Sequence, residues 1–486
     1  MAKSSIAEHP KWETVIGLEV HCQLRTLSKM FCRCENRFGA PPNSLTCPVC
    51  LGHPGTLPVI NETAVEYAIL AGLALDCEIG RETKFDRKNY FYPDQPKNYQ
   101  ISQFDMPICL GGHVRVATEG TERDIRLVRI HLEEDAGKNI HAEGRPKSMV
   151  DLNRAGTPLL EIVSEPDIRR PLEAAEYLRT LRLMMLYLGI SDCNMEEGSL
   201  RCDCNVSIRS RGSDKLETRT ELKNLNSFTA VASALEYEIA RQIEVRESGG
   251  EIVQETRLYD PDRNETRSMR GKEEAHDYRY FPEPDLAPLK IDDKRLEACR
   301  AKLPRLPDEV RERFFGVYGL PEYDTGLLVE DPAAVVFFER CAELYSEPKK
   351  ISNWIINDLF QEKNERKVSF GELSLTPERL VELLETVDRK EVSHQGGRDV
   401  LKRLFEQDAP VAKLISELGL GMISDDSVIR DAVKKALADN PSVVEDVKSG
   451  KKNAGNFLMG QVMKATKGKA NPGEVMRLIT EFTRDE

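Results

Sequence analysis

Residues 14–24, TVIGLEVHCQL, alternate apolar and polar side chains in a run rich in β-branched residues, the pattern of a strand. Successive side chains of a strand leave on opposite faces, so Glu19 and His21, two apart, share one. Two more runs read the same way. IRLVRIHLEED (125–135) ends in Glu133, Glu134 and Asp135 just before a turn at Gly137, and LLEIVSE (159–165) carries Glu161. Helical stretches sit between the strands, including AVEYAILAGLAL (64–75) and PLEAAEYLRTLRLMMLYLG (171–189). These alternations predict an α+β region that closes at the proline-punctuated YFPEPDLAPLK (280–290). From Asp292 onward the pattern is almost entirely helical, as in PDEVRERFFGVYG (307–319) and TPERLVELLETVDR (376–389). A further break falls at Gln407–Pro410. Short helices such as DSVIRDAVKKALAD (426–439) follow it, with a last helix near Pro472–Phe482. The expected division is a catalytic α+β domain over 1–295, an all-α helical domain over 296–408 and an all-α tail over 409–486.

Bulk properties agree with two or three domains, because 486 residues exceed what one compact core accommodates. With 40% apolar and 31% charged residues the chain has an ordinary globular composition. It contains no run of about 18 uncharged apolar residues that would span a membrane. Met1–Lys11 has neither the apolar core of a signal peptide nor an arginine-rich presequence. A cytoplasmic protein without membrane partners is the expectation. The net charge of −13 argues against nucleic acid only on average, since binding responds to local patches. One such patch stands out: KSGKKNAGNFLMGQVMKATKGK (448–469) holds six lysines and no acid. By itself this stretch reads equally well as a solvated helical face.

Twelve cysteines in a cytoplasmic chain are not a disulfide framework. Cys22, Cys77 and Cys109 read as core residues. Cys32 and Cys34 form a CxC, and Cys47 and Cys50 a CxxC beyond the turn-rich loop ENRFGAPPNSLT. That spacing suits a tetrahedral thiolate site for structural zinc; free thiols and an iron–sulfur cluster are the alternatives. Four thiolates leave no position for a catalytic water, so the metal would hold the loop.

The chain lacks GxxxxGK[ST], GxGxxG, HExxH and GxSxG, and shows no Gly/Ser-rich stretch of an amidase. Any ATP chemistry would depend on acidic side chains holding metal. Glu19, His21, Glu133, Glu134, Asp135, Glu161 and Glu221 (in ELKNLNSF, 221–228) could form such a set, because Mg²⁺ prefers oxygen ligands and shares its shell with phosphates. Taken singly, an exposed glutamate on a strand is usually a solvated acid, and spacing does not choose between the readings.

Longer motifs do choose. WETVIGLEVHCQL, DRKNYFYPDQPKNYQISQFDMPI, HLEEDAGK, VDLNRAGTPLLEIVSEPD, MEEGSLRCDCN, ELKNLNSF and DYRYFPEPD occur in this order. GLPEYD (319–324), SNWIINDL (352–359) and GNFLMGQVMKATKGKANP (455–472) continue the series through the tail. Together they closely resemble the B subunits of glutamyl/aspartyl-tRNA amidotransferases over the whole chain; the archaeal relatives carry an additional inserted domain for which this chain has no room. The resemblance implies a cradle domain similar to the glutamine synthetase fold, with a largely antiparallel sheet and helices, then a helical domain and a tRNA-gripping tail. It implies that ATP phosphorylates the side-chain carboxylate of Glu-tRNA(Gln) or Asp-tRNA(Asn), and that ammonia displaces the phosphate. The ammonia would come from a separate amidase subunit, with a small third subunit completing a heterotrimer. A carboxylate is a poor electrophile until one oxygen becomes a leaving group, which is why ATP is needed.

Matched by motif, Glu19, Glu134 and Glu161 look like ligands for one Mg²⁺, and His21, Glu134 and Glu221 for a second, with Glu134 shared. Asp203, Lys88 and Tyr90 would line the same cavity, the last two positioning phosphate or the tRNA 3′ end. Family members differ at the cysteine positions, so zinc rests on the spacing of Cys32, Cys34, Cys47 and Cys50 in this chain. Lys451, Lys452, Lys464 and Lys467 are the expected tRNA contacts, on a segment whose Phe457, Leu458, Val462 and Ala465 have roughly helical spacing and are expected to pack inward. Two rival readings remain: a free-standing ATP-dependent carboxylate–amine ligase acting on a small molecule, and a non-catalytic tRNA-binding scaffold. The first leaves the lysine tail unexplained and the second the acidic set.

Overall fold

A computed structural model describes residues 9–141, 147–269, 278–422, 426–448, 451–466 and 468–484. The chain divides into two compact units, Met1–Pro307 and Asp308–Glu486.

The first unit begins with β1 (Trp12–Gln23), β2 (Glu78–Ile79), β3 (Glu82–Thr83), β4 (Asp86–Asn89), β5 (Tyr99–Ser102) and β6 (Cys109–Leu110). Next come β7 (His113–Thr118), β8 (Thr121–Glu134), β9 (Lys138–His141), β10 (Ser148–Asp151), β11 (Pro158–Ser164) and β12 (Leu200–Ser210). The last strands are β13 (Thr220–Lys223), β14 (Thr256–Asp260), β15 (Glu265–Ser268), β16 (Arg279–Pro282) and β17 (Leu289–Lys290). The three expected strands are β1, β8 and β11, and they are neighbours. The main sheet runs β15-β14-β13-β12-β1-β11-β8-β6-β2, with β7 also paired to β8. Its pairings are antiparallel except β13 with β14. The β7–β8 hairpin turns through Glu119 and Gly120, both at positive φ (49° and 79°), the geometry that matches strand twist in a two-residue turn.

Period-two alternation gives this sheet one apolar and one polar face. Leu18, Val20 and Cys22 of β1 join Ile130, Leu132, Leu160, Ile162, Cys202, Cys204 and Leu222 in a single core. Against it pack α1 (Glu62–Ala74), α2 (Pro171–Tyr187) and α3 (Phe228–Glu247). Each fully buried Leu, Ile or Val contributes about 1.5–3 kcal/mol, enough to hold every strand in its register. Cys22, Cys77 and Cys109 are buried in this core, as their apolar surroundings in the sequence predict. Two of the helices are capped by side chains: Asn61 accepts from Ala64 N, and Ser227 from Ala230 N.

The segment 280–290, expected as an exit, pairs back into the unit through β16 on β4 and β17 on β3. A fourth helix, α4 (Asp293–Arg300), packs on α1 with Leu296 and Cys299 buried in the same core. The first unit therefore runs on to Pro307.

The second unit is helical: α5 (Pro307–Gly316), α6 (Glu322–Val329), α7 (Pro332–Leu344), α8 (Pro348–Trp354), α9 (Phe360–Arg366), α10 (Pro377–Asp388), α11 (His394–Leu404) and α12 (Val411–Leu418). Its last helices are α13 (Asp426–Asp439), α14 (Pro441–Lys448), α15 (Lys452–Ala465) and α16 (Pro472–Arg484). Proline opens many of them, where its missing N–H costs nothing. A single π-helical turn, Ile355–Leu359, joins α8 to α9 within the SNWIINDL motif. Although α12 follows the break expected at 407–410, it packs on α10 and α11, and its Val411 N–H donates to Glu382. The helices α13 to α16 surround their own core of Ile429, Val433, Leu458, Val462, Val475, Leu478 and Ile479. Among the described residues no helix is long and apolar enough to cross a membrane.

Candidate active site

The polar face of the main sheet collects charged residues that are far apart in sequence. His21 lies opposite Glu161 on β11 and Arg201 on β12, and Glu161 lies opposite His131 on β8. One step along, Glu19 faces Asp203; two residues beyond Asp203, Asn205 faces Glu221. Directly opposed residues of antiparallel strands point to the same side, so these form one continuous patch. His21 Nε2 is 3.6 Å from Glu161 Oε2 and 3.9 Å from Glu133 Oε1. His131 Nε2 is 3.4 Å from Glu161 Oε2 and 3.6 Å from Glu133 Oε2. One donor atom each from His21, Glu133 and Glu161 lies within 4.8 Å of the others, a set of two carboxylates and an imidazole that suits a divalent cation.

The charges of this patch act on one another strongly. Burial pulls the His131 imidazole down, but Glu161 and Glu133 outweigh it and hold it at about 9. His21 is raised for the same reasons. Burial pushes Glu161 up, and the two histidines pull it well below the usual carboxylate range. Glu19 is raised, first by burial and then by repulsion from Glu161, Asp203 and Glu221. That uncompensated repulsion is what a bound cation relieves. Lys223 meets part of it, at 3.2 Å from Asp203 and 3.3 Å from Glu221. Asn205 steadies Glu19 by donating to its Oε1 at 3.0 Å.

Glu134, expected as the ligand shared by two ions, is not in this group. The two-residue period that brings Glu133 beside His131 turns Glu134 to the side of β8 shared by Ile130 and Leu132. There its Oε1 accepts from Ile101 N at 2.9 Å and pairs with Lys97. In this structure Glu134 stands with Lys97 and Ile101, and Glu133 in the cluster.

The second wall of the site is the three-stranded sheet β16-β4-β5. Lys88 pairs with Gln100 and Tyr280 across it, so these three share a face. That face is directed at β8: Ser102 Oγ donates to Glu133 Oε2 at 3.2 Å, and Gln100 Nε2 to Glu134 O at 2.7 Å. Lys88 lies 4.7 Å from the Tyr278 ring centroid, and Glu133 and Glu161 raise its ammonium against the downward pull of burial. Tyr90 packs edge-on to Tyr278, with its phenol raised chiefly by burial. Tyr280 stacks on Phe104 at 4.2 Å. Lys88 and Tyr90 stand on this wall beside Tyr278, and the structure brings His131, Arg201 and Tyr280, which sequence reasoning did not select, to the same patch, with Glu133 of the candidate acidic set. Counting by twos back from Glu133 would have found His131.

The four cysteines converge, with their sulfurs within 4.8 Å of one another. Cys47 and Cys50 are 3.9 Å apart, close to the roughly 3.8 Å edge of a tetrahedron with 2.3 Å Zn–S bonds. Lys29 Nζ lies 3.8 Å from Cys50 Sγ. A hydrogen bond from Cys32 lowers the Cys50 thiol to about 5 despite its burial. Cys34, by contrast, is pushed up to about 11 by burial and by Cys47.

On α15 the buried ladder is Ala454, Leu458, Val462 and Thr466, spaced by four. Phe457 and Ala465, expected inside, are exposed, because a strict four-residue ladder leaves them on the flank of the stripe. Lys464 is exposed, while Lys451 pairs with Asp446 at 2.7 Å. Lys467 and the side chain of Lys452 lie outside the described residues.

Residues 14–297 match the family described as the GatB/GatE catalytic domain, and residues 336–482 that described as the GatB domain. The B subunit of an aspartyl/glutamyl-tRNA(Asn/Gln) amidotransferase from Thermodesulfovibrio yellowstonii is 50% identical over 475 residues, covering 98% of this chain and 100% of the relative. The B subunit of the same name from Caldanaerobacter subterraneus is 52% identical over 471 residues, covering 97% and 99%. With both families matched in order and relatives aligned end to end, the chain belongs to the GatB family of amidotransferase B subunits.

Proposed function

We propose that this chain is the ATP-consuming subunit of a tRNA-dependent amidotransferase. It phosphorylates the side-chain carboxylate of Glu-tRNA(Gln) or Asp-tRNA(Asn), and ammonia then displaces phosphate to give Gln-tRNA(Gln) or Asn-tRNA(Asn). The observation that carries this reading is the His21–Glu133–Glu161–His131 cluster facing Lys88 across a cleft. His21, Glu133 and Glu161 would hold one Mg²⁺, with Glu19 adding negative charge beside it. Bound there, the ion would supply neutralisation of phosphoryl charge. Lys88 offers its ammonium to a phosphate oxygen, and Arg201 a second cation from the opposite side of the cluster. Tyr90, Tyr278 and Tyr280 present aromatic surface that excludes water and orients the acylated 3′ end. Asp203 and Glu221 hold Lys223 on the same face.

Around this chemistry we assign the polar face and its cap to a cradle similar to glutamine synthetase, with the chain divided into catalytic, helical and tail parts near 295 and 409. Cys32, Cys34, Cys47 and Cys50 would carry structural zinc. Lys451, Lys452, Lys464 and Lys467 would meet tRNA phosphates. The partners are an amidase that supplies ammonia and a small third protein that completes a heterotrimer, and the setting is the cytoplasm. Purified chain with its partners, ATP and either Glu-tRNA(Gln) or free glutamate tests the reading: ATP should be consumed only with the charged tRNA. Turnover with free glutamate would identify a small-molecule ligase, and no ATP use with either a tRNA-binding scaffold.

A further inference from the structure

At position 29 the sequence places a lysine in a buried run. Met30 and Phe31 follow it in the core of the first unit. Lys29 itself is 1% exposed, and among the described residues it is the one lysine or arginine that is fully buried. A buried ammonium is costly unless anions or acceptors replace the water it gives up, and lysine is almost never buried without such partners. The partner here is not a carboxylate. Among the described residues Lys29 Nζ has two acceptors, the Leu152 carbonyl at 3.4 Å and Cys50 Sγ at 3.8 Å. Glu134, which also approaches Gly156, is paired with Lys97.

The backbone holds this side chain in place. Lys29 N–H donates to Cys34 O at 3.0 Å, and Lys29 O accepts from Asn61 Nδ2 at 3.2 Å. Lys29 is thus bonded to the CxC through its main chain and reaches the CxxC with its ammonium. Gly156, at φ +88°, makes the room: a Cβ there would stand 3.4 Å from Lys29 Cδ and 3.5 Å from Cys50 Cβ. The segment that carries Leu152 is tied to the cysteine loop on both sides. Leu152 N–H donates to Asn43 Oδ1 at 2.8 Å, and Leu45 N–H to Asn153 Oδ1 at 2.8 Å. Both acceptors of the ammonium therefore belong to one hydrogen-bonded unit.

Charge decides what that unit can hold. Four neutral thiols offer an ammonium almost nothing, since a thiol is a weak acceptor. Four thiolates around a divalent ion carry two surplus negative charges, which a buried site offsets with donors and cations. Cys47 N–H supplies a donor 3.2 Å from Cys50 Sγ, and Lys29 supplies a full positive charge on the same sulfur. We propose that Lys29 is the counter-ion of the cysteine site: its ammonium offsets thiolate charge and so sets how tightly the loop holds a divalent metal. The inference rests on the reading of Cys32, Cys34, Cys47 and Cys50 as a metal site, and the test separates the two.

Zinc affinity is measured on the assembled amidotransferase, under reductant, by competition with a chromophoric chelator, and Tm is followed with zinc bound and with zinc stripped. The variants are Lys29→Met, Lys29→Gln and Lys29→Arg. Lys29→Met and Lys29→Gln remove the charge and should weaken zinc by about 10- to 100-fold. Lys29→Arg keeps it and should hold zinc more tightly than either. Lys29→Met should melt below wild type when zinc is bound and above it once zinc is stripped, because the wild-type ammonium then faces neutral thiols. Should Lys29→Met not fold, Lys29→Gln, which keeps a donor for Leu152 O, carries the same comparison. A lower Tm in both states would make Lys29 a packing residue and overturn the assignment. Wild type that binds zinc no more tightly than Lys29→Met and Lys29→Gln would also overturn it, and leave the metal site standing. Wild type that binds no zinc would overturn the metal site itself.

Discussion

Two groups of side chains in the first unit are suited to metal, and they are assembled in opposite ways. Cys32, Cys34, Cys47 and Cys50 come from one short stretch, so closing a single turn-rich loop brings them together. His21, His131, Glu133 and Glu161 come from three strands spread over more than a hundred residues and meet only through sheet register. The first group is therefore written in spacing, and the second in pairing. The difference shows most sharply at Glu133 and Glu134. They are neighbours of the same type, yet a period of two sends one into the cluster and the other to Lys97.

That contrast is broken most directly by exchanging the two glutamates. Glu133→Gln should lower single-turnover phosphorylation of Glu-tRNA by about a thousandfold with little change in tRNA binding. Glu134→Gln breaks a buried ion pair and should act mainly on stability, by about 3–5 kcal/mol in denaturant unfolding. If Glu134→Gln, when folded, proved as inactive as Glu133→Gln, the register argument would be wrong.

The cysteine loop should respond in the opposite sense. Elemental analysis of chelator-free protein should find zinc near one per chain, lost in the Cys47→Ser, Cys50→Ser double variant. Its Tm should fall by roughly 5 °C or more, while phosphorylation at saturating substrate drops less than about tenfold. Iron with visible absorption, or full stability without metal, would defeat the zinc assignment.

A pH series sharpens the carboxylate side. His21 and His131 are raised by Glu133 and Glu161, His131 to about 9. A histidine with a raised folded value contributes stability below its ordinary value near 6.5 and loses it as pH climbs through the folded one. The metal-free chain should thus lose stability between about pH 6.5 and 9. Mg²⁺ affinity should rise with pH as His21, itself raised, gives up its proton, since metal requires its neutral imidazole. Calorimetric titration at both pH values checks this, and a flat affinity would remove His21 from the ligands.

The smallest effects belong to α15. Lys464→Ala should raise the KM for misacylated tRNA by about two- to fivefold and reduce the salt slope by about one. Lys451→Ala should do less, because Asp446 already holds that ammonium. Equal effects would mean that the ion pair opens when tRNA binds, and unchanged KM in both would return the segment to a solvated face.

Element type was legible where periodicity was strong. The strands at 14–24, 125–135 and 159–165, the helices of the second unit and the buried Cys22, Cys77 and Cys109 all follow from local pattern. The segment 280–290 was harder to read, because its prolines signal a break while its backbone pairs with β3 and β4. The α15 stripe was legible only in part: spacing identifies Leu458 and Val462 as inward, but Phe457 and Ala465 lie on its exposed flank.

By itself the sequence determined the family, the α+β-then-helical order, the spacing of the cysteine loop and the residue types of the sheet's polar face, since these depend on motifs and on contacts near in chain. Tertiary structure alone decided which glutamate of Glu133 and Glu134 faces His21, that His131 and Arg201 join the site, and that Lys88 and Tyr280 cap it. The physical reason is that a strand states only which residues alternate. Which face is buried, and what stands opposite, is settled when the apolar side of the whole sheet finds its helices and fixes the register of every strand at once.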